Sequence, residues 1–277
     1  MKKNNTIKLI VLTVLTVIVY LPTLIWMWDR WFTKDSYYGH GILIPLVSLY
    51  ILWQNKERIK KIKTNPSNLG LVLIIIGLII HLVSALLRVY FTSGFSLLLV
   101  IPGLVLYLYG SSMLDEVKFP IAFLFFMIPL PLEAVANISL KMKLFAAQAS
   151  TTILNRMNIP ALRDGSTIKM MHAYLIVGDP CSGLRSLISL LALGALFAYF
   201  LNTTTLKKII LFVCSAPIAL ISNIVRILAL ALVGEIYGQK YTHGFFHDFM
   251  GMMVFVIAFI GLTVIAKVLE NKVESSK

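Results

Sequence analysis

The chain has 277 residues, of which 58% are hydrophobic and 13% are charged, and its formal net charge is +13. Soluble domains are closer to half apolar and a quarter charged, so this composition excludes an ordinary soluble protein and indicates an integral membrane protein. The lysines cluster beside apolar segments, as they do in cytoplasmic loops, which argues against a nucleic-acid partner.

Apolar runs, taken in chain order, predict an all-α polytopic membrane protein in which about eight helices form a single domain over 1–277. The first run follows a basic start but is too long for a signal peptide, and no small-residue cleavage motif follows it, so we expect a retained helix. No soluble C-terminal domain is expected after the last run. The predicted spans are 7–28, 38–53, 69–87, 93–110, 119–132, 183–201, 207–233 and 247–266.

Short basic loops predict the orientation of these spans. The segments QNKERIKKIKTN, after the second span, and NTTTLKK, before the seventh, fall on the same side as both termini if eight spans are correct. Short loops rich in Lys and Arg remain in the cytoplasm, so both termini are expected there. The chain would then be a multi-pass protein of the cell membrane.

A long connection at about 133–180 is predicted to lie on the extracytoplasmic face. Residues 133–157 have helical composition with scattered lysines, which favours a helix along or just above the membrane interface. Asp164 and Gly165 form a turn signal that is followed by β-branched and aromatic residues. We therefore expect a small extracytoplasmic helix and a short strand or hairpin.

Three reactive side chains are predicted to share one depth near the outer boundary of the membrane. Measured from the polar inner end of each helix, Cys181, Arg226 and His247 lie roughly 31, 27 and 30 Å away. A thiol, a guanidinium and an imidazole from three consecutive helices would therefore meet at the same level. The agreement depends on basic and polar residues at the opposite helix ends and on no motif.

Cys181 is predicted to be a nucleophile at the start of the sixth span. The segment GDPCSGLRSL places Pro180 where a helix begins, with Ser182 or Asp179 as a candidate N-cap. Unpaired N–H groups at a helix start stabilise an anion, so we expect the pKa of the thiol to be lowered. A thiolate attacks a carbonyl much better than a thiol does.

Arg226 and His247 would supply the remaining chemistry of peptide cleavage or transpeptidation. Arg226 would stabilise the oxyanion of a tetrahedral intermediate or donate its proton. His247 would act as acid or base toward the leaving amine, or stabilise the transition state. Asn223 shares a helix face with Arg226 and would orient it. Ser182, Asn223 and Asp248 are taken as supporting residues.

Each of these residues also has an ordinary structural interpretation. A cysteine at a helix end is more often structural, Arg226 would simply snorkel to the interface, and His247 would be an interfacial histidine. Two rivals lie nearby in the sequence. Arg185 follows Cys181 by one helical turn, and His40 is a second candidate for the proton carrier.

A metal site and a disulfide are both less favoured. His243 and His247 have the spacing of two metal ligands, but the sequence between them is poor for a helix and no Glu follows the first histidine. We therefore expect no metal and no cofactor. Cys214 lies deep in an apolar run, away from Cys181, and is interpreted as a small buried hydrophobe.

Five segments in chain order resemble the exosortase/archaeosortase family of membrane-embedded cysteine transpeptidases, over about residues 20–266. They are DSYYGHGILIPLVSLYILW, FLFFMIPLP, DPCSGLRSL, SAPIALISNIVRI and HDFMGMMVF. The resemblance implies that Cys181 forms an acyl-thioester while Arg226 and His247 complete the site. Archaeal members carry a second arginine in place of His247, so the chain is similar to the bacterial exosortase branch.

The resemblance also implies the partners. The substrates would be exported proteins with a C-terminal sorting signal made of a short motif, often Pro-Glu-Pro, a transmembrane helix and a basic tail. Cleavage at the outer interface would transfer them to an unidentified cell-envelope acceptor. From the residues alone, an alternative is a multi-pass transporter or lipid-linked-sugar carrier with Arg226 as an anion contact, which predicts ionisable groups near the midplane. A peptidase that only hydrolyses would use the same residues.

Overall fold

The computed structural model describes residues 3–34, 36–242 and 244–270. The chain forms two compact units, Met1–Pro131 and Leu132–Lys277. The single domain expected over 1–277 stays a prediction. The helices of the first unit are α1 (Lys3–Val19), α2 (Leu21–Phe32), α3 (Leu43–Gln54), α4 (Lys56–Lys61), α5 (Leu69–Leu86), α6 (Tyr90–Tyr109) and α7 (Ser111–Phe123), followed by a 3-10 turn at Leu124–Met127.

The first predicted span is broken near its middle. Helices α1 and α2 meet at Tyr20 with a bend of 67°. Pro22 lies in the first turn of α2, where its missing N–H is tolerated, whereas in a continuous helix its ring would clash with the preceding turn. The buried Tyr20 hydroxyl is 2.6 Å from the Ser96 hydroxyl of α6, which stabilises the break.

Helices α5 and α6 pack closely because glycines line their contact. A Cβ on Gly70 would lie 2.3 Å from the backbone nitrogen of Tyr107, and small residues allow such approach between membrane helices. Buried His81 lies 2.8 Å from the Ser93 hydroxyl through Nδ1. His81 is therefore a hydrogen-bonded core histidine of the first unit.

The second unit combines helices with one small sheet. Its elements are α8 (Leu132–Arg156), β1 (Leu162–Asp164), β2 (Thr167–Lys169), β3 (Tyr174–Ile176), a 3-10 turn (Asp179–Cys181), α9 (Leu184–Phe200), α10 (Thr205–Tyr237), a 3-10 turn (Gln239–Thr242) and α11 (Phe245–Leu269). The strands pair antiparallel in the order β1-β2-β3. The helix predicted at 133–157 and the hairpin turn at Asp164-Gly165 are both confirmed, and β3 adds a third strand.

Most of the predicted spans overlap a helix, but eight separate spans are not confirmed. The span predicted at 119–132 covers only the end of α7, the 3-10 turn and the non-helical residues 128–131, and the span predicted at 38–53 begins before α3. Four helices are each long and apolar enough to cross a membrane, and six is the largest number if bent helix pairs count as single spans. Helices α3 and α9 are apolar but have only 12 and 17 residues. The protein is therefore a helical membrane protein with four to six candidate spans in the described residues.

Candidate active site

Cys181 ends a short 3-10 turn that precedes α9. Its backbone N–H donates to the carbonyl oxygen of Gly178 at 3.0 Å, and α9 begins three residues later, at Leu184. The prediction that Cys181 itself opens the helix is therefore wrong. A distinct turn, and not the first turn of the helix, presents the thiol.

Ser182 links this turn to α9. Its hydroxyl donates to the carbonyl oxygen of Asp179 at 2.8 Å and accepts from the N–H of Leu184 at 3.3 Å. The N-cap position of α9 is Gly183, so neither Ser182 nor Asp179 is the N-cap as predicted. Ser182 nevertheless binds the first N–H group of the helix, which supports the conformation of the nucleophile turn.

Gly183 allows the chain to leave this turn. Its φ is +78°, in the left-handed region that favours glycine. A Cβ at this position would lie 2.7 Å from both Cγ and Nδ2 of Asn223. Both the backbone conformation and the lack of space therefore require glycine beside the thiol.

Asn223 holds the backbone of the nucleophile. Its side chain is 1% exposed, and Nδ2 donates to the carbonyl oxygen of Cys181 at 3.1 Å. The sequence assigned Asn223 to orienting Arg226, three residues later on α10. The structure describes a contact of Asn223 with Cys181, so α10 positions the thiol as well as presenting a cation, and the orienting role toward Arg226 stays a prediction.

Two residues of α8 bind the carboxylate at the start of the turn. Lys143 Nζ lies 2.8 Å from Asp179 Oδ1, and the Ser139 hydroxyl donates to the same oxygen at 3.2 Å. Their four-residue spacing puts both on one helix face. The contacts of Ser139 and Lys143 with Asp179 were not predicted from the sequence. The i, i+4 pairing of Ser and Lys was visible, but nothing in the sequence indicated its partner about forty residues away.

The thiol lies in an apolar cluster formed by α8, the sheet and α10. Cys181 is 4% exposed. The other buried members of the cluster are Ala146, Ala147, Leu154, Ile168, Leu175, Val177, Ile227, Leu230 and Ala231. Met250 of α11 packs against the same cluster. The nucleophile candidate therefore sits in a nonpolar environment that excludes water.

Burial raises the pKa of the Cys181 thiol above its ordinary value, while the Arg226 guanidinium opposes that rise. The sequence predicted the reverse, a lowered pKa. The difference follows from burial of the thiol in the apolar cluster, which outweighs the opposing charge of Arg226. Desolvation disfavours the thiolate, so the resting group is the neutral thiol.

The side chain of Arg226, on α10, lies close to α11. Its side chain is 7% exposed, and a Cβ on Gly251 would lie 3.3 Å from its Nη2 and 3.6 Å from its Cζ. Gly251 therefore leaves room for the guanidinium. His247 precedes Gly251 by four residues, about one turn of α11. The side chains of His247 and Asp248 lie outside the described residues.

The rival residues take different positions. Arg185 is partly buried in the first turn of α9. His40 is a partly buried residue of the first unit, in the turn before α3, and its role as a proton carrier stays a prediction. His243, of the candidate zinc pair, lies outside the described residues. Cys214 is a partly buried thiol in α10, and neither it nor Cys181 forms a disulfide in the part of the chain that the structure describes.

The chain was compared with known families, curated proteins and solved structures. Residues 26–264 match the family model described as Transmembrane exosortase (Exosortase_EpsH). The comparison with curated proteins gave no match, and neither did the comparison with solved structures. The family match includes the Cys181 turn, Arg226 and His247. Because it extends over well more than half of the sequence, the chain belongs to the transmembrane exosortase family.

Proposed function

We propose that the protein is a cysteine transpeptidase of the cell membrane that cleaves the C-terminal sorting signal of exported proteins. Membership in the exosortase family supports a membrane transpeptidase role in general. The observation that carries the specific proposal is the burial of Cys181 together with Arg226, whose charge favours the thiolate. Burying a cation is energetically costly, so a buried arginine beside a thiol is more often functional than structural.

His247 is the base that activates Cys181 in this proposal. Because burial raises the pKa of the thiol, an activating base is needed at neutral pH. His247 occupies the turn of α11 before Gly251, against which the Arg226 guanidinium packs. Imidazole titrates near neutral pH, whereas arginine remains protonated, so we assign proton transfer to His247 and charge stabilisation to Arg226.

The reaction proceeds through a thioester. His247 takes the thiol proton as the sulfur of Cys181 attacks the carbonyl carbon of the scissile peptide bond. Arg226 stabilises the oxyanion of the tetrahedral intermediate. The C–N bond then breaks, and the leaving amine takes the proton from His247, which leaves an acyl-thioester on Cys181. An acceptor nucleophile gives its proton to His247 as it attacks the thioester carbonyl, and the C–S bond then breaks. The departing sulfur takes that proton back from His247, which regenerates the thiol of Cys181 and the neutral imidazole.

The substrate class follows from a shared bilayer. A sorting signal with a transmembrane helix and a basic cytoplasmic tail would hold its short motif at the outer interface, the level proposed for Cys181. Confining enzyme and substrate to one membrane raises their effective concentration, so a deep binding pocket is not required. This arrangement places the active site at the extracytoplasmic face, with both termini in the cytoplasm and a cell-envelope component as the acceptor.

Processing of a tripartite substrate in reconstituted vesicles tests this function. A substrate with a short motif, a transmembrane helix and a basic tail should be cleaved by the wild-type chain and by Cys214→Ala. Cleavage should be lost with Cys181→Ala and strongly reduced with Arg226→Ala or His247→Ala. Full cleavage by Cys181→Ala would contradict the proposal. Mass spectrometry of the new C-terminus distinguishes transfer to an acceptor from hydrolysis.

A further inference from the structure

The β-sheet of the second unit lies alongside the last turns of α10. Glu235 accepts hydrogen bonds from the backbone N–H and from Nδ1 of His172, at 3.0 and 2.8 Å. Gln239 accepts the backbone N–H of Tyr174 at 2.9 Å. Further back along α10, Ile227 packs in one cluster with Leu175 of β3. These contacts cover about three turns of the helix, so the opposite face of the sheet points sideways, away from α10.

These last turns of α10 extend beyond the hydrocarbon layer. The helix has 33 residues and is about 50 Å long, whereas the apolar layer of a bilayer is about 30 Å thick. With Lys208 at the cytoplasmic boundary, the layer ends near Leu228, about 20 residues later. The sheet beside 227–239 is therefore level with the lipid headgroups.

The outward face of the sheet is amphipathic. The strand register puts Leu162, Lys169 and Tyr174 in one row across the sheet. Tyr174 is 50% exposed, and Met171, in the loop before β3, is 72% exposed. Lys169 pairs with Asp164 at 2.7 Å on this face. Exposed apolar and aromatic groups around a charged pair are typical of a membrane interface, where aromatic rings and basic side chains concentrate.

An apolar stripe along α10 leads to this face. Val213, Ile221, Val225 and Ile236 are exposed and recur at about the helical period on one side of the candidate span. The stripe ends at Ile236 and the exposed Tyr237, two residues before the Gln239 that binds Tyr174. The exposed apolar side of the helix therefore ends close to the strand that carries Tyr174.

We propose that this outward face, with Met171, Tyr174, Ile176 and Tyr237, rests in the lipid headgroup layer of the outer leaflet. A shallow depression of about 620 Å³ lined by Met171 and Tyr174 is the place where lipid contacts the sheet. Because β3 leads directly into the turn of Cys181, this contact fixes the height of the thiol relative to the bilayer. The inference does not depend on the catalytic role of Cys181.

Site-directed spin labelling of the full chain tests the lipid contact. Nitroxides would be attached at Met171→Cys or Tyr174→Cys in a Cys181→Ser, Cys214→Ser chain reconstituted in vesicles of phosphatidylcholine and phosphatidylglycerol. Arg163→Cys is the matched control, because Arg163 is exposed and pairs with buried Ile168 on the other face of the sheet. The ratio of relaxation by oxygen to relaxation by a water-soluble nickel complex should be several-fold higher at 171 and 174 than at 163.

Two results would overturn the proposal. Equal ratios at the three positions would mean that the face is open to water, and low collision rates with both reagents at 171 and 174 would mean that protein covers it. The unsubstituted chain provides an independent measurement. A phospholipid with a headgroup diazirine should label the peptide that contains 170–176. Labelling of the exposed stripe of α10 without labelling of this peptide contradicts the proposal.

Discussion

The side-chain amide of Asn223 donates a hydrogen bond to the backbone carbonyl of Cys181, at 3.1 Å, from a helix that begins 24 residues after that cysteine. Asn223 is buried, and its Nδ2 lies against Gly183. One residue of α10 therefore determines the position of the thiol and of the glycine that follows it. The same helix carries Arg226 three residues later, so α10 sets the distance between thiol and cation.

Replacing Asn223 with Leu should strongly reduce processing of the substrate in a chain that still folds. The buried carbonyl of Cys181 would lose its donor, which lowers the free energy of unfolding by about 1–3 kcal/mol. The turn would then shift relative to Arg226, so kcat should fall with KM little changed. Asn202→Leu, at an exposed position on the loop before α10, is the control. An unchanged kcat in a folded Asn223→Leu chain would show that this hydrogen bond does not position the nucleophile.

Gly183→Ala should be much more harmful than Gly165→Ala. Both glycines have positive φ, +78° and +60°, so alanine is strained at each by roughly 1–2 kcal/mol. At Gly183 the new methyl group would also lie 2.7 Å from Asn223, whereas at Gly165 nothing lies within 4 Å. Thermal unfolding and processing assays on both variants isolate the effect of the clash. Equal behaviour of the two variants would contradict the close contact between Gly183 and Asn223.

Lys143→Met should slow processing, whereas Lys141→Met should not. Lys143 binds the carboxylate of Asp179 at the start of the nucleophile turn, and Lys141 is an exposed lysine of the same helix. The ion pair is partly exposed, so its loss should change the free energy of unfolding by less than about 1 kcal/mol. Its loss should nevertheless loosen the turn, and the rate of Cys181 alkylation by a small reagent would report this. Lys143→Arg keeps the positive charge, so this variant should process the substrate at the wild-type rate if Lys143 acts by binding Asp179.

The pH dependence of thiol alkylation tests the electrostatics of the site. In a Cys214→Ala chain, the rate should keep rising through the alkaline range, because burial raises the pKa of Cys181. Arg226 opposes that rise, so Arg226→Met should move the curve to still higher pH and slow alkylation at any fixed pH below it. Arg185→Met should leave the curve in place. A shift with Arg185→Met and none with Arg226→Met would make Arg185 the relevant cation.

The influence of the Arg226 charge on Cys181 agrees with the prediction, made from helix length, that the two residues lie near each other. Their common depth in the membrane, and the place of His247 beside them, stay predictions. The direction in which the pKa of the thiol is shifted could not be predicted from the sequence. That direction depends on how completely distant apolar residues bury Cys181, which spacing along the chain does not reveal. The N-cap assignments to Ser182 and Asp179 failed because α9 begins at Leu184, three residues after Cys181, a difference that composition does not resolve.

The contacts that join α8 and α10 to the Cys181 turn could not be predicted from the sequence either. The partner of Asp179 is Lys143, and the partner of the Cys181 carbonyl is Asn223, both about forty residues away in the chain. Periodicity predicts which face of a helix is polar but not which distant segment meets it. The first predicted span remains a candidate span as a bent helix pair, and the break before Pro22 was not predicted from overall hydrophobicity.

Trapping of the acyl-enzyme tests the central claim most directly. Wild-type, Cys214→Ser, Cys181→Ala and His247→Ala chains would be incubated in vesicles with a tripartite substrate and no acceptor, and then analysed by intact mass spectrometry. A covalent adduct with the N-terminal part of the substrate that hydroxylamine removes is expected on the wild-type and Cys214→Ser chains, strongly reduced on His247→Ala and absent on Cys181→Ala. A cleaved substrate with no adduct on any chain, or an adduct that persists in Cys181→Ala, would contradict the central claim.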